Sequence, residues 1–198
     1  MLIRSDMIQK IALGIDLAAL SGPGTAAPTG ISGTSGIGSV VGGTNGAAVT
    51  LDHALDMIAS VLNANAEGSN MGFIMNTKTR AALSKLKSTT SEYLWKRGDQ
   101  FSSIADGAVD KIGGYPVMVS NQARSTLTKG TASGVCFEIF FGDWSSLVIG
   151  EWGVLEVLPN PYGSGFASGQ IDIRAIQSID IGVRHPESFA VMNDALTS

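Results

Sequence analysis

One cysteine stands in 198 residues, so no internal disulfide can form; Cys136 lies in an apolar strand pattern, where a free thiol acts as a small hydrophobe. An intracellular chain is the default expectation. Charge is scarce as well. Asp, Glu, Lys and Arg make up 15% of the chain against roughly 25% in an average soluble protein, so much of the surface must be uncharged or covered by a partner. Copies of the same chain would provide such cover. The 13 Lys and Arg are scattered apart from a cluster around Arg80, Lys85 and Lys87, and the formal net charge is -4. That balance makes no phosphate-tracking surface and argues against sequence-specific reading of nucleic acid. Long apolar runs are missing too: Met7 to Leu20 is interrupted by Gln9, Lys10 and Asp16 and is too short to span a bilayer. The first ten residues have none of the marks of a secretory signal, so neither secretion nor membrane insertion is indicated.

What is present is a core. Hydrophobic residues make up 44%, and a chain of this length can bury roughly 70% of its unfolded surface without metal or disulfide. The densest apolar stretch runs from Val135 to Tyr162 and holds Cys136 and two of the three Trp, broken by Gly142, Gly150 and Gly153 at strand-like intervals. It reads as a sheet core. The 25 Gly follow no triplet period and belong to loops.

Ahead of that stretch, Ile8, Ile11 and Ile15, with Leu13, Leu17 and Leu20 beside them, predict an amphipathic helix stopped by Ser21-Gly22-Pro23-Gly24. Gly22 to Gly46 is glycine-rich and almost uncharged, an extended or loop segment whose backbone needs partners in a neighbour or in water. Thr50 is placed to cap a helix with Leu51, Leu55, Ile58 and Leu62 on one face; Met71 to Met75 reads as a buried strand, and Asn76 caps a second helix over Thr77 to Lys87. Ser88 to Gly114 is a connector in which Tyr93, Leu94, Trp95 and Phe101 would dock as anchors. A strand over Tyr115 to Val119 must place Pro116 at its beginning or at an edge. Gln170 to Val183 predicts a long half-buried strand with a phase slip near Ala175 and Ile176, and Ser188 to Met192 a final strand. No internal repeat and no clean linker is visible, so two subdomains would require the chain to cross between them more than once.

No catalytic constellation stands out. Gly33 to Gly46 invites a phosphate-loop reading but lacks the Gly-Lys-Ser or Gly-Lys-Thr and the flanking strand and helix, so it reads as structural. Gly142-Asp143-Trp144-Ser145 has the outline of a serine-esterase opening; only His53 and His185 could serve as base, and neither is placed for it. A tight turn is favoured, with Asp143 bonding its own backbone and Trp144 packing. Asp52, His53 and Asp56 within one helical turn are too few for a metal site, and Glu151 and Glu156 fit ordinary outward alternation. No catalytic, metal or cofactor-binding residue is assigned, and a serine hydrolase remains the runner-up of another class.

An ordered series of motifs carries more. Gly72-Phe73-Ile74-Met75-Asn76, Thr79-Arg80, Leu83 and Leu86 are followed by Gly114-Tyr115-Pro116-Val117, Val119-Ser120-Asn121 and Phe141-Gly142-Asp143-Trp144-Ser145. Val148-Ile149-Gly150, Gly153-Val154-Leu155-Glu156-Val157 and Arg184-His185-Pro186-Glu187-Ser188-Phe189 continue the order. At the front, Asp16, Leu20, Gly22, Gly24-Thr25 and Pro28-Thr29-Gly30-Ile31 resemble a helix end and its following turn. Together they resemble the tailed-bacteriophage major capsid protein family, over essentially the whole chain.

The resemblance implies an α+β fold, with interwoven axial and peripheral subdomains and a mixed sheet flanked by helices. Residues 46–150 and 184–198 would form the axial domain, and 1–45 and 151–183 the peripheral one. The loop from Asn121 to Ser133 would be the axial tip, with Arg124 and Lys129 as assembly contacts. The implied partners are copies of the chain, as pentamers and hexamers, with scaffolding protein or protease during assembly and packaged DNA held non-specifically. The implied location is the virion capsid, assembled in the host cytoplasm. A bacterial nanocompartment shell of related fold is the nearest alternative. The family's N-terminal arm, extended hairpin and early turns of the long helix have no counterpart before Met1. On that comparison the chain is expected to be a fragment, a processed product or a piece cut for expression, forming monomers or small rings rather than closed shells.

Overall fold

A computed structural model describes residues 2–95, 110–163 and 165–197. The helices are α1 (Leu2–Ser21), α2 (Leu51–Asn63) and α3 (Thr77–Ser84). The strands are β1 (Gly38–Ser39), β2 (Ala47–Ala48), β3 (Met71–Met75), β4 (Lys111–Ile112), β5 (Tyr115–Val119), β6 (Leu127–Lys129), β7 (Ala132–Asp143), β8 (Leu147–Asn160), β9 (Asp172–Val183) and β10 (Phe189–Leu196).

A mixed sheet is built around β7. Its order is β1-β10-β7-β3-β5-β4, with β2 also pairing β10 and β6 pairing β7. β7 runs antiparallel to both β3 and β10, whereas β3 with β5 and β1 with β10 are parallel. Every residue of β7 from Cys136 to Asp143 is buried. A strand covered on both faces reads as a continuous apolar run rather than an alternating one, which is why this segment is so dense in Phe and Ile. Phe137, Ile139 and Phe141 pack with Met57 and Val61 of α2, Phe73 of β3 and Leu83 of α3. Phe140 faces the other way, into a cluster with Leu20 at the end of α1, Ile31, Ala123, Phe189 and Val191. Each fully buried Phe is worth about 1.5–3 kcal/mol of transfer free energy, so these two clusters fix the body of the fold.

Local chemistry sets the helix ends. Thr50 Oγ1 accepts from the His53 amide at 3.3 Å while His53 Nδ1 accepts from the Thr50 amide at 3.3 Å, a reciprocal cap in which His takes the place more often held by Glu or Gln. Asn76 Oδ1 accepts from the Lys78 amide at 3.0 Å, and its Nδ2 donates to the Ala123 carbonyl, tying α3 to the loop before β6. Helix α3 stops at Ser84 rather than running to Lys87; Lys85 turns out of the helix, its amide donating back to the carbonyls of Ala82 and Leu83.

Five further expectations need correction. The apolar stretch from Val135 to Tyr162 is a core only as far as β7; β8 pairs with β9 alone among the described residues, and most of its side chains are exposed. The slip expected in β9 is expressed on its partner, because register passes from Trp152 opposite Ser178 to Glu156 opposite Ile176. The extra residues include Gly153 at φ +77, where glycine is the residue that adopts the bulge conformation without strain. The closing strand is longer than expected, extending to Leu196. In α1 the half-buried stripe is Met7, Ile11, Ile15 and Ala18, while Ile8, Leu13 and Leu17 are exposed, so only the last turn enters a core. Of the connector anchors, Trp95 docks, its Nε1 donating to the Lys111 carbonyl at 2.8 Å, whereas Tyr93 and Leu94 are exposed; Phe101 lies outside the described residues.

Gly22 to Gly46 finds its hydrogen-bonding partners in the chain itself. Gly22 and Gly30 cross in contact, the Gly30 amide donating to the Gly22 carbonyl at 3.1 Å, and β1 then joins the main sheet beside β10.

Candidate functional site: two buried carboxylates and the surfaces they support

Two acids of β7 are buried. Glu138, at 0% exposure, is the single charge inside the run from Val135 to Phe141. A buried carboxylate is tolerated only when paired and hydrogen-bonded. Here Arg124 supplies Nε at 3.0 Å and Nη2 at 2.6 Å to Oε1, while its own amide donates to Oε2 at 3.1 Å. Ser21, the last residue of α1, donates its hydroxyl to Oε2 at 2.6 Å, and Arg124 Nη2 reaches Ser32 Oγ at 3.0 Å. One carboxylate thus joins α1, the turn Ile31–Gly33, the loop before β6 and the central strand.

Asp143 ends the same strand. Its Oδ1 accepts from the amides of Asn70 and Ser145, and Oδ2 accepts from the hydroxyls of Ser145 at 2.6 Å and Ser146 at 3.4 Å. Burial alone would push this carboxyl up, but the hydrogen bonds from Ser145, Asn70 and Ser146 outweigh it and hold the group below its ordinary value. Gly68 leaves the space: a Cβ there would lie 2.0 Å from Asp143 Oδ2. Trp144 packs edge-on against Phe189 and donates Nε1 to the Gly72 carbonyl at 3.0 Å. This is the turn chemistry that the Gly-Asp-Trp-Ser motif suggested. Ser145 Oγ is bonded to the carboxylate rather than to an imidazole, although His185 borders the same shallow hollow as Asp143 and Ser146. Among the described residues no group of three or more His, Cys, Asp or Glu is placed to hold a metal ion, and no helix is long and apolar enough to cross a membrane.

The surfaces lie at the two ends of this frame. At one end the β6–β7 hairpin turns through Gly130 and carries Lys129. Asn45 Oδ1 accepts from the Thr131 amide at 3.0 Å, and the buried Asp194 carboxylate, at a bulge in β10, accepts from the amides of Gly42 and Gly43. Glycine loop, hairpin and last strand therefore form one tip. The two residues singled out in the sequence separate here: Lys129 is on the hairpin, while the Arg124 guanidinium turns inward to Glu138. Ser21, Glu138, Asn45 and Asp194 were not singled out. Glu138 alone carried a signal, being a lone charge within an apolar strand. At the other end the β8–β9 ribbon exposes apolar side chains on both faces, with Val148 52%, Trp152 61% and Val154 79% exposed.

Comparison with known proteins decides what this arrangement belongs to. The model of the phage capsid family matches residues 1–194. The chain belongs to the phage capsid family. Within that family it is 26% identical over 193 residues to the major capsid protein of Halomonas phage phiHAP-1, covering 96% of this chain and 28% of that protein. To the major capsid protein of Klebsiella oxytoca phage phiKO2 it is 28% identical over 159 residues, covering 73% and 34% respectively. The chain spans about a third or less of the length of these curated relatives. Among solved structures, the capsid of the native GTA particle superposes with a TM-score of 0.69 at 23% identity, over 98% of this chain and 64% of that one. The SrpI encapsulin of Synechococcus elongatus PCC 7942 superposes with 0.59 at 13% identity, over 97% and 64%. These likenesses establish the fold: a capsid fold with a mixed sheet and, among the described residues, three α-helices.

Proposed function

We propose that the chain is a structural subunit of an icosahedral phage or prophage capsid that assembles through symmetric contacts with copies of itself to enclose DNA. The observation that carries this reading is the β8–β9 ribbon, apolar on both faces and paired to nothing but itself among the described residues. Exposed apolar area on this scale marks a surface that a partner covers. A closed point-group shell supplies that cover with identical copies. Low surface charge lowers the desolvation penalty of such contacts.

In this reading residues 46–150 and 184–198 form the axial domain around the main sheet, and 1–45 and 151–183 the peripheral domain, with β1 reaching across to the axial sheet. The tip carrying Lys129 would meet its neighbours around five- and six-fold axes in pentamers and hexamers, and Arg124 would act from beneath that tip. DNA would be held non-specifically, scaffolding protein or protease would take part during assembly in the host cytoplasm, and the chain would be no enzyme. A bacterial nanocompartment shell is the second reading, favoured by the shared fold of the encapsulin.

Electron microscopy of the purified protein tests the proposal. Rings or closed shells of uniform diameter are expected. Strict monomers, at concentrations that support assembly of such proteins, would overturn it. Nucleic acid rather than a protein cargo inside the particles would separate the capsid from the nanocompartment.

A further inference from the structure

Helix α1 enters a core only at its last turn; along the rest of its length a half-buried stripe lies near β9. From Arg4 to Leu17 its residues are exposed or half-buried, and burial begins only with Ala19, Leu20 and Ser21. Over 20 residues it extends about 30 Å, so a swing of about 10° at its buried end moves its first residue by about 5 Å. Apolar packing of Leu20 and Ile31 against Phe140 and Phe189 holds that end down. Packing of this kind resists separation but is non-directional and restrains rotation weakly. A directional restraint that ties this end to the main sheet is polar: the Ser21 hydroxyl on Glu138 at 2.6 Å, with Glu138 itself gripped by Arg124.

We infer that Glu138 is a positioning residue that sets the angle of α1 against the main sheet. A carboxylate fits the task better than an apolar residue of its size. It can accept from α1, from the Arg124 amide and from the Arg124 guanidinium at once, so the helix end, the loop before β6 and β7 share one fixed point. Arg124, through Ser32, adds the turn that follows α1. An apolar substitute would keep the packing and lose the geometry. The consequence for assembly rests on the shell-subunit reading: the angle of a 30 Å lever relative to the tip would govern the curvature with which neighbours meet, so particles built without this anchor would be heterogeneous in diameter.

The positioning itself is testable without assembly. In a Cys136→Ala background, spin labels at Lys10→Cys on α1 and Met118→Cys on β5 report their separation by pulsed electron resonance on the soluble chain. The parent should give one narrow distance distribution. Ser21→Ala, which removes only the helix-end bond, and the paired replacement Arg124→Met with Glu138→Leu, which leaves no unpaired buried charge, should each broaden it or shift its mean by several ångströms while thermal melting stays cooperative. Asp143→Asn, which weakens a buried network on the same strand without touching α1, is the control and should leave the distribution narrow. Unchanged distributions in Ser21→Ala and in the paired variant would overturn the inference; where the paired variant does not fold, Ser21→Ala alone decides. Because the measurement reads unassembled protein, its failure is distinct from a failure to form shells.

Discussion

Glu138 and Asp143 lie five residues apart on β7, and the two-residue alternation of a strand sends their carboxylates to opposite faces of the sheet. Glu138 gathers the end of α1 and the loop before β6; Asp143 gathers the Asn70 turn and the first residues leading into β8. The end of α1, the loop before β6, the Asn70 turn and the entry to β8 are thus each hydrogen-bonded to an acid of the central strand.

Breaking the Glu138 pair from one side should hurt more than removing it. Arg124→Met leaves a buried carboxylate without its cation, and a loss of about 3 kcal/mol is expected, at the lower end of the range for buried pairs because the Arg124 side chain is 40% exposed. Adding Glu138→Leu should recover most of that loss. Urea unfolding midpoints of the two variants check it; equal losses would show that the pair contributes net stability.

The Asp143 network should give the chain an acid limit. Its carboxyl is held below the ordinary value near 3.9, so its contribution is fully present above that pH and is lost as pH falls through the folded value. Asp143→Asn should lower stability at neutral pH and flatten the fall below about pH 4. Unfolding midpoints measured between neutral and acidic pH in both proteins would show whether the two curves converge at low pH.

Two glycines near α1 should respond with opposite sign. A Cβ at Gly14 meets nothing within 4 Å, so Gly14→Ala in mid-helix should stabilise by about 1 kcal/mol. A Cβ at Gly30 would lie 2.4 Å from the Gly22 amide nitrogen and 2.6 Å from the Ala18 carbonyl oxygen, so Gly30→Ala must separate the crossing chains and lower the melting temperature. Thermal melts followed by circular dichroism distinguish them.

Acid placed on the ribbon should spare the fold and abolish association. Trp152 and Val154 are largely exposed, so Trp152→Asp and Val154→Asp should change unfolding midpoints by no more than about 0.5 kcal/mol. Light scattering should show rings or shells lost in both variants. Assembly at parental yield would remove the ribbon from the interface.

The elements whose signals are local were legible in the sequence. Thr50 and Asn76 cap helices because a short polar side chain before an apolar period has few better uses, and Asp143 makes its own turn for the same reason. The ordered motifs carried the family, and β7 was recognisable as a strand because burial on both faces demands an unbroken apolar run. What a second strand does with the same composition was not legible. β8 is about as apolar as β7, with Val, Leu and Trp where β7 has Phe and Ile, yet one is a core and the other an exposed ribbon, because a strand's composition records that it will be covered and not whether its own chain or another copy covers it. Nor could the sequence pair Glu138 with Arg124 and Ser21, the latter 117 positions away. Hydrogen bonds are short-ranged and directional, so only the tertiary structure, by bringing α1 back onto the central strand, decided that this carboxylate would be an anchor rather than a fault in the core.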